Sequence, residues 1–405
     1  MKTFVRYLKK KSEENAVFEY FVFVGYMLFG VISRILFFII HVLPLAKNKI
    51  VFCNMKGIRY GDNPMYISEA LRKKKPDYEI VWLIDRKVEA DIPAYIKVVQ
   101  YGFWNNMREL ATAKVWVDSN TKNLGTYKTK EQLYIQTWHG SYGIKKVALD
   151  RKDDLSKIDT KLYPFNSAIT DIMVSNSKRT SEIYRNAFVF KNRILEVGSP
   201  RNDIFFSENS DEITFAVKQH FGITTNSRMA LYAPTYRENY NIDFFNIDMK
   251  MLEQELSDKF GGDFCILVRL HPQNLKEAQN IKYNGNVLNA SEYNVMQELL
   301  VAADVLITDY SSCMFDFVTV PKPCFIYAPD LEQYKHDRGN YFKMSELPFP
   351  LAQDNDELAD NIKNFDMEEY ANKVKELHKK VGLCETGHAS EVVADTIIDF
   401  IEKAK

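Results

Sequence analysis

From Lys49 onward the chain alternates short apolar, largely β-branched runs with longer stretches of helical period, and this rhythm predicts its fold. Strands are predicted at Lys49–Cys53, Glu79–Ile84, Lys114–Asp118, Gln132–Thr137, Ile172–Val174 and Arg193–Val197. Helices fall between them at Pro64–Lys74, Phe103–Thr112 and Lys178–Ala187, and residues 151–170 read as irregular. The turn Gly198-Ser199-Pro200 marks a junction, after which the rhythm restarts. Strands are then predicted at Met229–Tyr232, Phe264–Leu270, Val287–Leu288, Val305–Ile307 and Cys324–Tyr327, with helices at Met249–Phe260 and Tyr293–Ala302. A charged helical tail runs from Glu357 to Lys405. Alternating strand and helix argues for parallel sheets covered on both faces, hence two nucleotide-fold-like halves facing a cleft.

The first 46 residues have a different texture. Lys2, Arg6, Lys9, Lys10 and Lys11 precede a segment, Ala16–Ala46, dense in Phe, Val, Ile and Leu. Its longest charge-free run, Tyr20–Ser33, is bounded by Glu19 and Arg34 and falls short of the roughly 20 residues a bilayer span needs. Three readings follow: one or two amphipathic helices lying in the membrane interface, a true span, or a buried helical hairpin. The interrupted apolar run and the basic flank favour the interfacial reading, with the N-terminus cytoplasmic. No small-residue cleavage site follows, so a secretory signal is disfavoured.

Composition adds bounds. At 405 residues the chain exceeds the size of a single core, and 46% hydrophobic with 26% charged residues is ordinary for a globular protein. A net charge of −1 gives no basic field for nucleic acid. The five cysteines are scattered without metal or redox spacing and read as buried thiols in a reducing compartment.

Candidate chemistry gathers at the carboxyl ends of predicted strands, the rim where open α/β sheets bind ligands. Four clusters lie there: Gly198–Asp203, Ala233–Glu238, Arg269–Pro272 and Asp309–Ser312. Arg201, Arg237 and Arg269 would converge with His271 and the Ser311-Ser312 turn, a combination suited to phosphate or pyrophosphate. Ser311 or Ser312 could equally be no more than a helix N-cap. In the first half, Trp138-His139-Gly140 follows a strand and precedes Lys145-Lys146. His139 there is either a general base or a hydrogen-bonded structural histidine. Neither GxxxxGK[ST] nor GxGxxG occurs, and no HExxH or paired-carboxylate metal motif stands out.

The ordered motifs WHGSYGIKK, GSPRND, YAPTYRE, VRLHP and ADVLITDYSSCMFDF resemble those of the CDP-glycerol glycerophosphotransferase family, over roughly Lys49–Ala389. That resemblance implies a GT-B-like α/β fold of two Rossmann-type parallel-sheet domains facing a cleft, with N-terminal membrane-associating helices. It implies three regions: a membrane-associating segment over 1–46, an acceptor domain over 47–200, and a CDP-glycerol-binding domain with a helical tail over 201–405. The implied catalytic pair is His139 and His271. The implied substrate contacts are Trp138, Arg201, Pro234, Thr235, Arg269, Ser311, Ser312 and Asp316, with no metal and no cofactor. The implied partners are CDP-glycerol, a lipid-linked saccharide or poly(glycerol phosphate) acceptor, and the cytoplasmic face of the cell membrane, where the protein would be peripheral. Nucleic acid is not among them, and self-association is left open. Rival readings are CDP-ribitol transfer, a GT-B glycosyltransferase using a nucleotide sugar, and a membrane-bound nucleotide-binding scaffold.

Overall fold

The computed structural model describes residues 16–85, 92–151, 155–235, 247–271, 274, 281, 283, 285–332 and 339–403. Arg237, Glu238 and Pro272, named above, lie outside the described residues.

The first sheet contains β1 (Ala46–Cys53), β2 (Glu79–Ile84), β3 (Lys97–Gln100), β4 (Ala113–Asp118), β5 (Leu133–Gln136), β6 (Ile172–Ser175) and β7 (Arg193–Glu196). The second contains β8 (Arg228–Ala233), β9 (Phe264–Val268), β10 (Val287–Asn289), β11 (Val305–Thr308), β12 (Cys324–Tyr327) and β13 (Leu351–Ala352). Their orders, β3-β2-β1-β4-β5-β6-β7 and β10-β9-β8-β11-β12-β13, share one doubly wound pattern, and every pairing is parallel. In each sheet the order reverses beside the first strand, between β1 and β4 and between β8 and β11. A crevice opens at such a reversal, because the two flanking connections leave in opposite directions.

Strand side chains alternate between two buried faces, which explains why the strands read as continuous apolar runs. Ile50, Phe52, Ile80, Trp82, Val115 and Val117 join one cluster, whereas Val51, Cys53, Val81, Leu83 and Trp116 join another on the opposite face. The second half has a single large core that includes Tyr142 and Ile144, carried over from the first half. An antiparallel bridge between Lys145 and Asn340 and a bond from Tyr341 N to Ile144 O (2.6 Å) hold this crossing in place. The chain also crosses back. Helix 389–403 buries Val393, Ala394, Ile397, Ile398 and Ile401 in the first half's cluster, so the last helix packs with the first sheet and not with the second.

The N-terminal apolar segment forms one unbroken helix, Ala16–Ile40, and not a pair or a buried hairpin. Arg34 does not interrupt it, because its guanidinium stacks over the Tyr127 ring at 5.3 Å and keeps its charge at the helix edge. Val17–Ile40 is long and apolar enough to cross a membrane by length and composition. It is clasped to the first half along its length. Glu19 pairs with Lys157 at 3.1 Å, Ser33 and Phe37 are buried, and His41 bonds Gln132 Oε1 at 3.2 Å. Gly30 and Gly125 allow the closest approach, since a Cβ at Gly125 would overlap the Gly30 carbonyl. The opposite side leaves Phe21, Leu28, Ile32, Ile35, Phe38 and Ile39 exposed. Such a contiguous apolar face marks a surface meant to be covered.

Asp203, read above as part of the ligand rim, is committed elsewhere. Its carboxylate accepts from Ala389 N (2.9 Å), Ser390 N (2.7 Å) and Ser390 Oγ (2.5 Å), capping the last helix from a distant segment. Asp203→Ala should therefore cost about 1–2 kcal/mol, as loss of an N-cap does. Thermal melts check this, and an unchanged melting temperature would refute the capping role.

Candidate active site

The second sheet's reversal point brings together two of the four rim clusters. Thr308 pairs with Ala233 in register, so Pro234-Thr235 and Asp309–Ser312 leave the sheet side by side. Asp309 ties these loops together by accepting from Thr235 N (2.9 Å), Thr235 Oγ1 (2.8 Å) and Tyr310 N (2.6 Å). The following helix, Cys313–Phe317, has only five residues, too few for a substantial macrodipole. Ser312 occupies its N-cap position but makes no capping bond, and Ser311 Oγ accepts from Cys313 N only at 3.4 Å. Neither hydroxyl is spent on capping a long helix. Both are half-buried at the rim.

Arg269 follows β9, the neighbour of β8, and is 9% exposed. Its Nη1 donates to Ala290 O (3.2 Å) and Tyr293 O (2.6 Å), which aims the guanidinium. Burial and the nearby Arg59 push its pKa down to about 10, an unusual condition for a guanidinium. His271, two residues on, is held below its ordinary value by desolvation and by Arg59 and Lys145. Cationic side chains from both halves therefore meet here, Arg59 and Lys145 from the first and Arg269 from the second, beside the neutral imidazole of His271. An anion is the ligand such an arrangement favours.

Across the cleft, Trp138 sits in the left-handed region at φ 55° with its ring 4.8 Å from Phe188 and 4.2 Å from His139. A bulky residue there stores about 1–3 kcal/mol of strain, which is typical of functional turns. Asn63 Nδ2 donates to Trp138 O at 3.3 Å and helps to hold the turn. His139 Nδ1 lies 2.8 Å from Ser119 O. A carbonyl can only accept, so Nδ1 carries the proton and Nε2 keeps its lone pair. Burial lowers the His139 pKa, and Arg201 adds to the effect against the opposing pull of Ser119 O, Asp62 and Asp118. The imidazole is neutral at neutral pH, with its basic nitrogen set by the fold.

Arg201 joins the two halves. Its Nη1 donates to Asp62 Oδ1 (2.9 Å) and His139 O (2.9 Å), and its Nη2 pairs with Asp316 Oδ2 (3.0 Å). Its backbone N donates to Asn63 Oδ1 at 3.1 Å. Asp316 is 3% exposed, with its carboxylate engaged by Arg201 and by Asn202 Nδ2 (3.3 Å). Arg201 and Asp316, expected as substrate contacts, are thus bonded to each other and act on the cleft through His139 and Asp62. Burial raises the Asp316 pKa against the opposing pull of Arg201.

Three residues at the site fall outside the clusters read from sequence: Arg59, Asp62 and Asn63. Arg59 lies in the loop after β1, and Asp62 and Asn63 open the helix Asp62–Lys74 that follows it, so all three share the strand-end position that marked the other clusters. Among the described residues no three His, Cys, Asp or Glu side chains group closely enough to hold a metal ion.

Comparison with known proteins decides the family. Residues 35–399 match the family described as CDP-Glycerol:Poly(glycerophosphate) glycerophosphotransferase. The chain belongs to this glycerophosphotransferase family. A teichoic acid poly(glycerol phosphate) polymerase of Bacillus spizizenii is 29% identical over 386 residues, covering 91% of this chain and 96% of that one. A teichoic acid glycerol-phosphate transferase of Staphylococcus aureus is 30% identical over 377 residues, covering 87% and 93%. The chain spans about half the length, 49%, of the polymerase of Bacillus subtilis, to which it is 29% identical over 88% of its own length. Among solved structures, the wall teichoic acid polymerase TagF superposes with a TM-score of 0.80 at 27% identity, covering 95% of this chain and 98% of that one. A histidine-to-asparagine variant of TagF soaked with CDPG superposes with a TM-score of 0.78 at 27% identity, covering 95% and 97%. These matches, with the two doubly wound sheets, make the fold GT-B-like.

Because Arg201 is shared by both halves, Arg201→Met should destabilise the protein by about 3–5 kcal/mol by stranding Asp62 and Asp316. Adding Asp316→Asn should recover part of that loss. Urea unfolding of the single and double variants checks this, and additive losses would show that Arg201 and Asp316 are not coupled.

Proposed function

We propose that this chain transfers glycerol phosphate from CDP-glycerol to a hydroxyl of a lipid-linked saccharide or growing poly(glycerol phosphate) chain, releasing CMP, in teichoic acid synthesis. The observation that carries this reading is that the buried Arg269 guanidinium and His271, two residues on, both lie in the field of Arg59, with Lys145 also acting on His271, a site electrostatically prepared for a pyrophosphate. The acceptor oxygen attacks the β-phosphorus in line, the bond from that phosphorus to the bridging oxygen breaks, and CMP leaves with the electron pair. His139 Nε2 takes the acceptor proton. Arg269, His271 and the Ser311-Ser312 turn stabilise the charge that moves onto the bridging oxygen, so positioning and electrostatics supply most of the rate gain. Pro234 and Thr235 form the wall beside them, and Trp138 shapes the acceptor side. Glycerol is favoured over ribitol because the glycerol-phosphate relatives span 27–30% identity, against 27% for a ribitol-phosphate primase and 24% for a poly(ribitol-phosphate) polymerase.

In this reading residues 47–200 present the acceptor and residues 201–405 hold the donor, with the last helix returning to brace the first sheet. The helix Ala16–Ile40 lies along the cytoplasmic membrane surface. Its contacts with the first half extend from Glu19 to His41, so a span would drag Lys157 and the polar surface around it into the bilayer. A helix in the plane brings the cleft to the membrane-bound acceptor.

His139→Ala should lower turnover by ~10²-fold or more while leaving donor affinity nearly intact. Retention of more than about a tenth of turnover would rule out a general base at this position. In the parent protein, protonation of His139 itself should lower kcat below the ordinary histidine range, because burial lowers the His139 pKa. Ser311→Ala with Ser312→Ala should weaken CDP-glycerol binding by about 1–3 kcal/mol at an unchanged melting temperature. Titration calorimetry beside a melt separates that outcome from a capping role, which would lower the melting temperature alone.

A further inference from the structure

Glu385 lies in the crossing between helices 367–381 and 389–403, outside every motif discussed so far. Its Oε2 accepts from Ser199 N at 2.9 Å, and its Oε1 accepts from Asn202 Nδ2 at 2.9 Å and Asn176 Nδ2 at 3.2 Å. The Asn202 amide also donates to Asp316, and Asn176 Nδ2 donates to Ser141 Oγ at 2.7 Å. Gly198 has φ +104°, and a Cβ there would fall 2.7 Å from Glu385 Oε2, so this glycine makes room for the carboxylate. One side chain therefore gathers the end of β6, the junction at Ser199–Asn202, the Asp316 helix and the turn that follows His139.

We propose that Glu385 is a positioning residue whose carboxylate sets the mutual placement of Asp316, Arg201 and the His139–Ser141 turn, and so aligns the two halves of the cleft. Its effect on turnover rests on the transfer reading given above. The titratable groups facing it are Asp316, the Tyr142 phenol and the Cys384 thiol. The nearest cation in the network, Arg201, is already paired with Asp62 and Asp316. Burial, with Asp316 adding to it, pushes Glu385 up to about 7.

The two protonation states differ in what they can hold. The ionised carboxylate suits three converging N–H donors. A protonated one needs an acceptor, and the buried Asn202 Oδ1 has no hydrogen-bond partner in the structure. Turning the Asn202 amide to meet that proton would withdraw its N–H from Asp316, so protonation loosens the network. Folding raises the Glu385 pKa, so the stability linked to this group is full at pH below its ordinary 4.5 and is lost as pH rises through about 7.

Glu385→Gln in the full chain tests this, because the new amide sets an NH2 against the converging donors. The variant should lower kcat by about tenfold or more, with the dissociation constant for CDP-glycerol within about twofold of the parent. The parent's kcat should rise through about pH 7, and the variant should lack that step. Asn176→Ala, which cuts the link to Ser141, should reproduce the lowered kcat if Glu385→Gln folds poorly. The difference in melting temperature between parent and Glu385→Gln should change between pH 5 and 8, about the range of the titration. An unchanged kcat with the pH step intact would overturn the proposal. Equal losses of turnover and melting temperature at every pH would also overturn it, by reducing Glu385 to a structural role. If the parent released no CMP, the transfer reading would fail, while the melting comparison would still decide whether Glu385 titrates at the junction.

Discussion

Arg201 leaves the junction between the two sheets and ends almost wholly removed from water, which by itself costs several kcal/mol. That cost is offset only if carboxylates from both sides reach it, and they do: Asp62 follows β1 of the first sheet, and Asp316 sits on the short helix after β11 of the second. Each half thus supplies a counter-charge to a cation that belongs to the connection. The relative placement of the halves is consequently tied to the geometry of this planar fork, alongside the Ile144–Tyr341 crossing and the returning last helix. The same fork donates to His139 O, so the residue read as general base is positioned by the interaction that joins the domains.

Charge in the cleft is layered. Carboxylates gather inward of the rim, namely the buried Asp316 and the half-buried Asp62 and Glu385, and among the described residues Arg201 is the guanidinium paired within this cluster. Cations line the rim, namely Arg59, Lys145 and Arg269, with the His271 imidazole beside them. In the proposed transfer a pyrophosphate would meet the rim and stay apart from the interior carboxylates, which would repel it. This separation fits the pairing of Asp316 with Arg201. It also leaves the buried cluster with more carboxylates than cations, the condition under which one of them holds a proton near neutrality.

Much of the fold was legible because buried parallel strands read as unbroken apolar runs, and β2, β12 and helix 249–260 fall where the pattern put them. Lys97–Gln100 was missed because its four residues, with Lys and Gln at the ends, carry too little apolar signal. Helix 159–169 was read as irregular because Pro164 and the polar residues around it obscure its period. Of the site, His139, Arg269, His271 and the Ser311-Ser312 turn could be placed on the rim from their strand-end positions alone. Which of those side chains are spent internally could not be read: Asp316 and Asp203 look like their neighbours in sequence, but their partners lie more than a hundred residues away. Glu385 was invisible for the same reason, since nothing in Cys384-Glu385-Thr386-Gly387 shows that the chain crosses between domains there.

Phosphoryl transfer and sugar transfer on this fold differ in the bond that breaks, so the leaving nucleotide distinguishes them. Incubation of the full chain with CDP-glycerol and a membrane-embedded lipid-linked acceptor, followed by mass analysis of both products, is the most direct measurement. Attack at the β-phosphorus requires CMP and a new glycerol phosphodiester in equal amounts. Release of CDP, with the acceptor gaining glycerol but no phosphorus, would contradict it.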